Sequence, residues 1–550
     1  MNCLTPQLPD WLMFYQSLIR WSITWSIRPY STNRIGMVSK LAKRLWLCCC
    51  IPTANHLSDM GADLEDGMLI ASPFPWTAPH LVRLNFCALS LVLFASANGY
   101  DSSMINSLQS LPAWVSFMSS PTGAWLGFIT IVYWIGLLLA YTVAPYISDR
   151  FGRKIGLYIG LLFVTAGAIL QGLSPNPTGW IVGRGLAGCA ACFWSCNAPV
   201  LISVIAYPSH RATVSSFYQC GYYVGSTLAA WIIYGMLGNS SSWSWRVPSL
   251  LQLILPLCAL PGLLLCPESP RWLLSQGRAE EAHTILTKWH AGGDRHNPLV
   301  FQQMHEIQAA LKIETESVQY TSYLDMLKTK ANRRRLVITL SIALFSQWGG
   351  NGVVSFYLTE VLKAVGITKS SEQLIITACL QIWNLICGIG AALLVELVGK
   401  RSLFHSSAII MTISYIMITA FTASFEEHHE RSVGTAVIPF LFIYFAGYGI
   451  ALTPLLIAYP CEIWQFSLRT RGLSITWISS CLFASFNSLV NPIALETISW
   501  KYYFVFLAVL IVYGITEYYM YPETKGRSLE EIQRLFESEN PEPTSRGTTD

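Results

Sequence analysis

Two charged residues stand inside otherwise apolar stretches: Asp101, and Arg184 in Gly183-Arg-Gly-Leu-Ala-Gly188. A lone charge in such a setting is expensive, so each needs a partner, and opposite signs on neighbouring helices would supply it. Protonating Asp101 would remove the attraction and give the pair two states; a permanent ion pair that only fixes helix packing is the alternative. Four amides also stand in apolar stretches: Gln219, Gln347, Asn351 and Asn384. A planar amide donates and accepts side by side, which suits a ligand bearing many hydroxyls. Hydrogen bonding between helices is the competing use. Among the aromatic side chains, Trp348 is the one expected to cover an apolar ligand face, packing being the default for the others.

A third set of groups alternates in sign at the ends of apolar stretches. Asp149 occurs with Arg150 and Arg153, Glu396 with Lys400 and Arg401, and Glu268, Arg271, Arg211, Glu462 and Arg469 stand at comparable points. Pairs formed there between two domains would hold a gate shut and must break to open it. Basic residues also flank one side of membrane spans for topological reasons alone.

These groups need elements to carry them, and the composition says which. Of 550 residues, 53% are hydrophobic and 12% charged, about half the usual charge of a soluble protein. Twelve largely uncharged stretches, at 82–104, 124–146, 155–173, 178–203, 213–236, 249–266, 336–359, 373–395, 402–423, 435–458, 472–496 and 501–521, each reach the roughly 17–25 residues that a helix needs to cross a bilayer. A nucleic-acid binder or a secreted scaffold is excluded. One set of connecting loops, with the tail, holds most of the Lys and Arg; the other holds only Arg246, Lys363, Lys369, Arg431 and Lys501. The positive-inside rule then predicts both termini and the long central loop in the cytosol. Asn239-Ser-Ser241, a glycosylation-type sequon, falls on the outside.

The fifteen cysteines lie in apolar stretches, beside one, or near the front, so no disulfide framework is expected; Cys48 to Cys50 could be acylated. Residues 1–80 read as a disordered cytosolic extension, an interfacial segment around Trp11 to Ile27, or an over-long gene model, rather than a thirteenth helix. The other expected parts are a six-helix bundle at 81–266, a cytosolic helical linker at 267–335, a second bundle at 336–521 and a cytosolic tail at 522–550.

The chain repeats its own punctuation. Asp149-Arg-Phe-Gly-Arg-Lys154 follows the second stretch and Glu396-Leu-Val-Gly-Lys-Arg401 the eighth; Pro267-Glu-Ser-Pro-Arg271 follows the sixth and Pro522-Glu-Thr-Lys-Gly-Arg527 the twelfth. Such order argues for a parallel repeat of two halves with a midplane site between them. With Gly99-Tyr-Asp101, Gly183-Arg184, Gly349-Gly-Asn351 and Pro460-Cys-Glu462…Arg469, these motifs make residues 82–535 resemble the sugar porters of the major facilitator superfamily, and most of all fungal lactose and hexose proton symporters.

The resemblance implies an all-α membrane protein, twelve transmembrane helices in two pseudo-symmetric six-helix bundles. It implies that Asp101 is the proton carrier and Arg184 its partner, and that Gln219, Asn351 and Asn384 fall on sugar-binding positions. Some positions depart from the family pattern. Val204 replaces a gate glutamate, the paired glutamines of the seventh span become Ser346-Gln347, Ser355-Phe356 stands where tyrosines are frequent, and Ile457 where a tryptophan often contacts sugar.

Other readings fall away. Gly183 to Gly188 spells a dinucleotide loop but lies in an apolar helix, where close helix packing explains it better. No histidine spacing suits a metal, no nucleophile and base accompany each other, and Arg333-Arg-Arg335 reads as a cytosolic flank. The expectation is therefore a plasma-membrane carrier of a hexose or disaccharide, with a proton as co-substrate. It is functional as a monomer in the lipid bilayer, with no cofactor, metal or nucleic-acid partner, and it is not an enzyme. A passive uniporter, a sugar-sensing receptor and a carrier of a polyol-like solute are the alternatives.

Overall fold

The computed structural model describes residues 78–208, 211–320, 322–525, 531–532 and 535–536. By contact the chain parts into residues 1–72 and 73–550; the first part, with Trp11 to Ile27 and Cys48 to Cys50, lies outside the described residues. The principal helices are α1 (Pro79–Leu108), α2 (Gly123–Tyr141), α3 (Arg153–Leu173), α4 (Pro177–Ile205), α5 (Arg211–Gly235), α6 (Trp243–Leu251), α7 (Ile254–Leu265), α8 (Ala279–His290), α9 (Pro298–Tyr320), α10 (Lys330–Trp348), α11 (Asn351–Ala364), α12 (Ser370–Val398), α13 (Lys400–His428), α14 (Val437–Ile463), α15 (Phe466–Ile498) and α16 (Tyr503–Met520). No strand occurs among the described residues.

Each of the twelve apolar stretches is helical. The sixth is carried by α6 and α7 and the seventh by α10 and α11. Among the described residues ten segments are long and apolar enough to cross a bilayer; one of them, Ser467–Met520, takes in nearly all of α15 and the whole of α16, and α5 is a further helix over the fifth apolar stretch. Proline opens α1 and α4 at the first turn, where its missing N–H is not needed. Leu139, Leu162, Ile409 and Tyr519 are 59–74% exposed, an outward apolar surface that fits lipid as the solvent.

Packing repeats with the sequence. α3 lies along α4 and α2 along α4, while in the second half α13 lies along α14 and α12 along α14. The halves meet through α2 with α15 and α5 with α12, the same two positions exchanged between halves. Each half has its own apolar core, one around Phe94, Trp114, Trp180 and Trp194, the other around Phe404, Tyr415, Tyr444 and Tyr459. The linker helices attach to the first half: His290, on α8, bonds Gln303 of α9 at 2.8 Å and the Ile205 carbonyl of α4 at 3.0 Å.

The Gly-rich segment of α4 packs helices, as its apolar context predicted. A Cβ on Gly188 would lie 2.0 Å from the Tyr133 carbonyl of α2, and one on Gly183 2.6 Å from the Gly167 carbonyl of α3. Only glycine permits that approach. It brings the guanidinium of Arg184, between them, to the ring of Tyr133.

Candidate functional site

Arg184 reaches Asp101 across the first half. Its Nη1 donates to Asp101 Oδ1 at 2.7 Å and to the Asp101 carbonyl at 2.6 Å, and the side chains are 1% and 6% exposed. The Tyr133 ring lies 4.8 Å below the guanidinium, adding a cation–π contact. Arg184 Nε is buried without a partner, so the carboxylate is the main compensation for this charge. The carboxyl expected to need a guanidinium therefore has one.

The amides form two groups. At the left-handed link between α10 and α11 (Gly350, φ 98°), Gln347 Nε2 donates to Ser480 Oγ of α15 at 3.0 Å, and the Gln347 backbone carbonyl accepts from Asn487 Nδ2 at 2.8 Å. Asn351 accepts from Ser355 at 2.8 Å. Tyr415 and Tyr444 hold the link by donating to the Gly350 and Gly349 carbonyls at 3.1 and 2.9 Å. On α12, Asn384 donates to Gln381 at 3.4 Å, and both are buried. Gln219 is exposed on α5, one turn before Tyr223, whose hydroxyl lies 3.1 Å from Thr453 Oγ1 of the second half. No hydrogen bond among the described residues joins the two amide groups to each other or to Gln219.

Trp348 stacks one face on Phe486, with centroids 5.2 Å apart, and its indole N–H donates to the Phe483 carbonyl at 3.3 Å. That ring packs α10 on α15. The sequence reading missed Gln381, Ser480 and Asn487. Gln381 was visible as an amide one turn before Asn384 on one helical face; the other two become partners only when α15 meets α10.

The end of the bundle that carries most Lys and Arg has one arrangement built twice. Gly152 (φ 104°) ends in the start of α3, and Glu268 accepts from the backbone N–H groups of Arg153 at 3.1 Å, Lys154 at 3.2 Å and Ser269 at 2.9 Å. Gly399 (φ 96°) leads into α13, and Glu523 accepts from Lys400 and Arg401, each at 3.0 Å, and from Thr524 and Lys525. A carboxylate thus meets the free amides and positive dipole of a helix N-terminus in both halves. Burial pushes the Glu523 carboxyl up, but its backbone donors outweigh that and hold it below the ordinary glutamate value.

Around these clasps the basic side chains pair locally. Asp149 bonds Arg153 at 2.8 Å, Lys400 forms an ion pair with Glu462, Arg401 donates to the Tyr518 carbonyl at 2.7 Å, and Arg150 lies 5.9 Å from the Phe151 ring. Each of these joins residues of one half, where pairs between halves were expected. Arg271 and Arg469 are also engaged. The side chains of Arg211 and Glu396 lie outside the described residues. At the opposite end the halves are bonded to each other: Gln109 donates to the Phe356 carbonyl at 2.8 Å, Ser110 meets Thr359 at 2.8 Å, and Thr359 donates to the Asn106 carbonyl at 3.2 Å.

With this geometry in place, comparison with known proteins decides the family. The profile of the family described as sugar (and other) transporter matches residues 87–536. The chain belongs to that family. This member is 26% identical to a high-affinity glucose transporter of Kluyveromyces lactis, over 83% of this chain and 86% of the relative. It is 29% identical to the MFS-type transporter oryC of Aspergillus oryzae, over 75% and 77%. In structure it is similar to the proton:xylose symporter XylE bound to 6-bromo-6-deoxy-D-glucose, with TM-score 0.67, 23% identity and coverage of 83% and 99%. The inward-open XylE of E. coli matches with TM-score 0.66, 23% identity and coverage of 82% and 99%. This family member therefore has the major facilitator fold, spans the membrane many times and is a transporter rather than an enzyme.

Proposed function

We propose that this transporter carries a sugar across the plasma membrane together with a proton, by exposing one site between its halves alternately to either side. The observation that carries the reading is the buried Asp101–Arg184 pair. When Asp101 is ionised the pair is held; a proton on Asp101 removes the net attraction and frees the first half to change its packing. One charge moving through 100 mV is worth about 2.3 kcal/mol, and each pH unit adds about 1.4 kcal/mol. These gradients are adequate to drive uptake.

Gln219, Gln347, Asn351 and Asn384 are the amides proposed to bind hydroxyls, with Gln381 beside Asn384 and the free face of Trp348 against the ring. The basic end, both termini and the linker face the cytosol in this reading. Bonds between halves at the outer end, with charges paired inside each half at the basic end, support assignment to an inward-facing state. In the outward-facing state Asp149, Arg150, Arg153, Arg211, Glu268, Arg271, Glu396, Lys400, Arg401, Glu462 and Arg469 exchange partners between halves.

A second reading keeps the mechanism and changes the cargo to another polyhydroxylated solute. It is favoured by Val204, Ser355, Phe356 and Ile457 at pocket and gate positions and by a relative whose name specifies no sugar. Radiolabelled uptake in a transport-null host, with pH recorded, separates the two. For the first reading Asp101→Asn abolishes uphill accumulation while downhill exchange partly survives; accumulation by that variant at acid outside pH would remove proton coupling.

A further inference from the structure

Given the proton coupling proposed for Asp101, we propose that Tyr133 and Trp134 of α2 are positioning residues that pass the protonation state of Asp101 to the second half. Successive residues of a helix point about 100° apart, and these two face different partners. The buried Tyr133 ring lies 4.8 Å from the Arg184 guanidinium. The half-buried Trp134 ring meets Phe356 of α11, in the other half, edge to face with centroids 6.2 Å apart. The two rings also touch each other, at 5.6 Å between centroids.

Helix packing makes this chain of contacts stiff. A Cβ on Gly136 would lie 2.0 Å from the Gly185 carbonyl, and one on Gly188 2.0 Å from the Tyr133 carbonyl, so the backbone of α2 is pinned to α4 around Arg184. With Asp101 ionised, the guanidinium is shared between carboxylate and ring. A proton on Asp101 leaves it the Asp101 backbone carbonyl and the ring, because Arg184 Nε has no partner. The guanidinium is then drawn onto the ring, and with the backbone held the displacement is taken up by Tyr133 and by Trp134 packed edge-on beside it. At the far end, the Phe356 carbonyl accepts from Gln109 of α1 at 2.8 Å, and the preceding Ser355 donates to Asn351 at 2.8 Å. The contacts that start at the carboxyl thus end beside an amide proposed to bind the sugar. The same helix α2 packs along α15, so the residue that reads the ion pair stands on an element that joins the halves.

Equilibrium binding of tritiated D-glucose to the purified full chain at pH 5.5 and pH 8 tests this. Coupled ligands shift each other's affinity by about 5–150-fold, and the wild type should bind D-glucose more tightly at pH 5.5 by a factor in that range. Tyr133→Leu removes a desolvated cation–π contact, equivalent to about 30-fold, and brings the ratio of the two affinities close to one. Trp134→Leu does the same while leaving the ion pair untouched, and Tyr133→Phe, which keeps the ring, retains the wild-type ratio. The wild-type ratio in either leucine variant overturns the relay and leaves proton coupling standing. A loss in Tyr133→Phe equal to that in Tyr133→Leu also overturns it, since the hydroxyl and not the ring would then carry the signal. Equal affinity of the wild type at both pH values removes the proton coupling itself. Should Tyr133→Leu fail to fold, Trp134→Leu and Phe356→Leu decide the matter, because neither touches Asp101 or Arg184.

Discussion

The two halves of this transporter share a scaffold and differ in what it carries. Glu268 with Gly152 and Glu523 with Gly399 are one device in two copies, and α3 against α4 is repeated by α13 against α14. In the middle the likeness ends. The first half buries a carboxylate and a guanidinium against each other, whereas the second presents amides and hydroxyls around a helix broken at Gly349-Gly350 and held by tyrosines. Its own titratable pair, His405 with the buried Glu517, lies on α13 and α16, close to the basic end. Under the proposed function, duplication supplies halves that rock, and divergence gives the proton to one and hydroxyl recognition mainly to the other.

The largest effect expected from breaking this division is at Arg184. Removing one partner of a buried pair leaves an uncompensated charge and costs about 3–5 kcal/mol. Arg184→Met should therefore lower the thermal midpoint of the purified protein sharply, and adding Asp101→Asn should restore most of the loss, since the neutral pair leaves no orphan. A neutral cut of similar severity in the second half, Gln347→Ala, should cost far less. Equal losses from the two single changes would contradict the proposed asymmetry.

Next come the clasps. At both glycines the backbone is in a region nearly closed to other residues, worth of order 1–3 kcal/mol, and a Cβ would also meet the clasp glutamate. It lies 2.6 Å from Glu268 Oε2 at Gly152 but 3.0 Å from Glu523 Oε2 at Gly399. Gly152→Ala should be the more damaging of the two in thermal unfolding. Smaller again, Tyr415→Phe and Tyr444→Phe each remove one hydrogen bond to the link, worth about 1 kcal/mol. Both should weaken substrate affinity without altering the pH dependence of uptake.

Much of this was legible before any coordinates. Twelve apolar runs, a carboxylate and an arginine stranded in two of them, and a twice-repeated loop are statements about single segments, and solvent or steric cost makes each visible. What was not legible depends on which helices touch. Ser480 and Asn487 look like ordinary polar residues of α15 until α10 lies beside them. His405 and Glu517 are far apart in the chain, yet both are titratable residues inside apolar runs near the same end, and only the packing of α13 on α16 makes them partners. Asp149 with Arg153 and Lys400 with Glu462 pair inside one half, whereas the pairs between halves were expected of an outward-facing state; sequence carries no information on which helix end meets which.

The smallest effect compares the two clasp glutamates. Glu268 accepts three backbone N–H groups and Glu523 four, so Glu523→Gln should cost slightly more stability at neutral pH than Glu268→Gln. The Glu523 carboxyl is held below its ordinary value by those donors although burial opposes them. A depressed carboxyl stabilises the fold above its unfolded value, about 4.3, and that contribution is lost as pH falls through the native value. The wild type should therefore exceed Glu523→Gln in thermal stability at pH 7, and the two curves should converge in acid. A gap that stays constant down to the lowest pH at which the protein remains folded would mean that the ionised form of Glu523 is not what closes the second clasp.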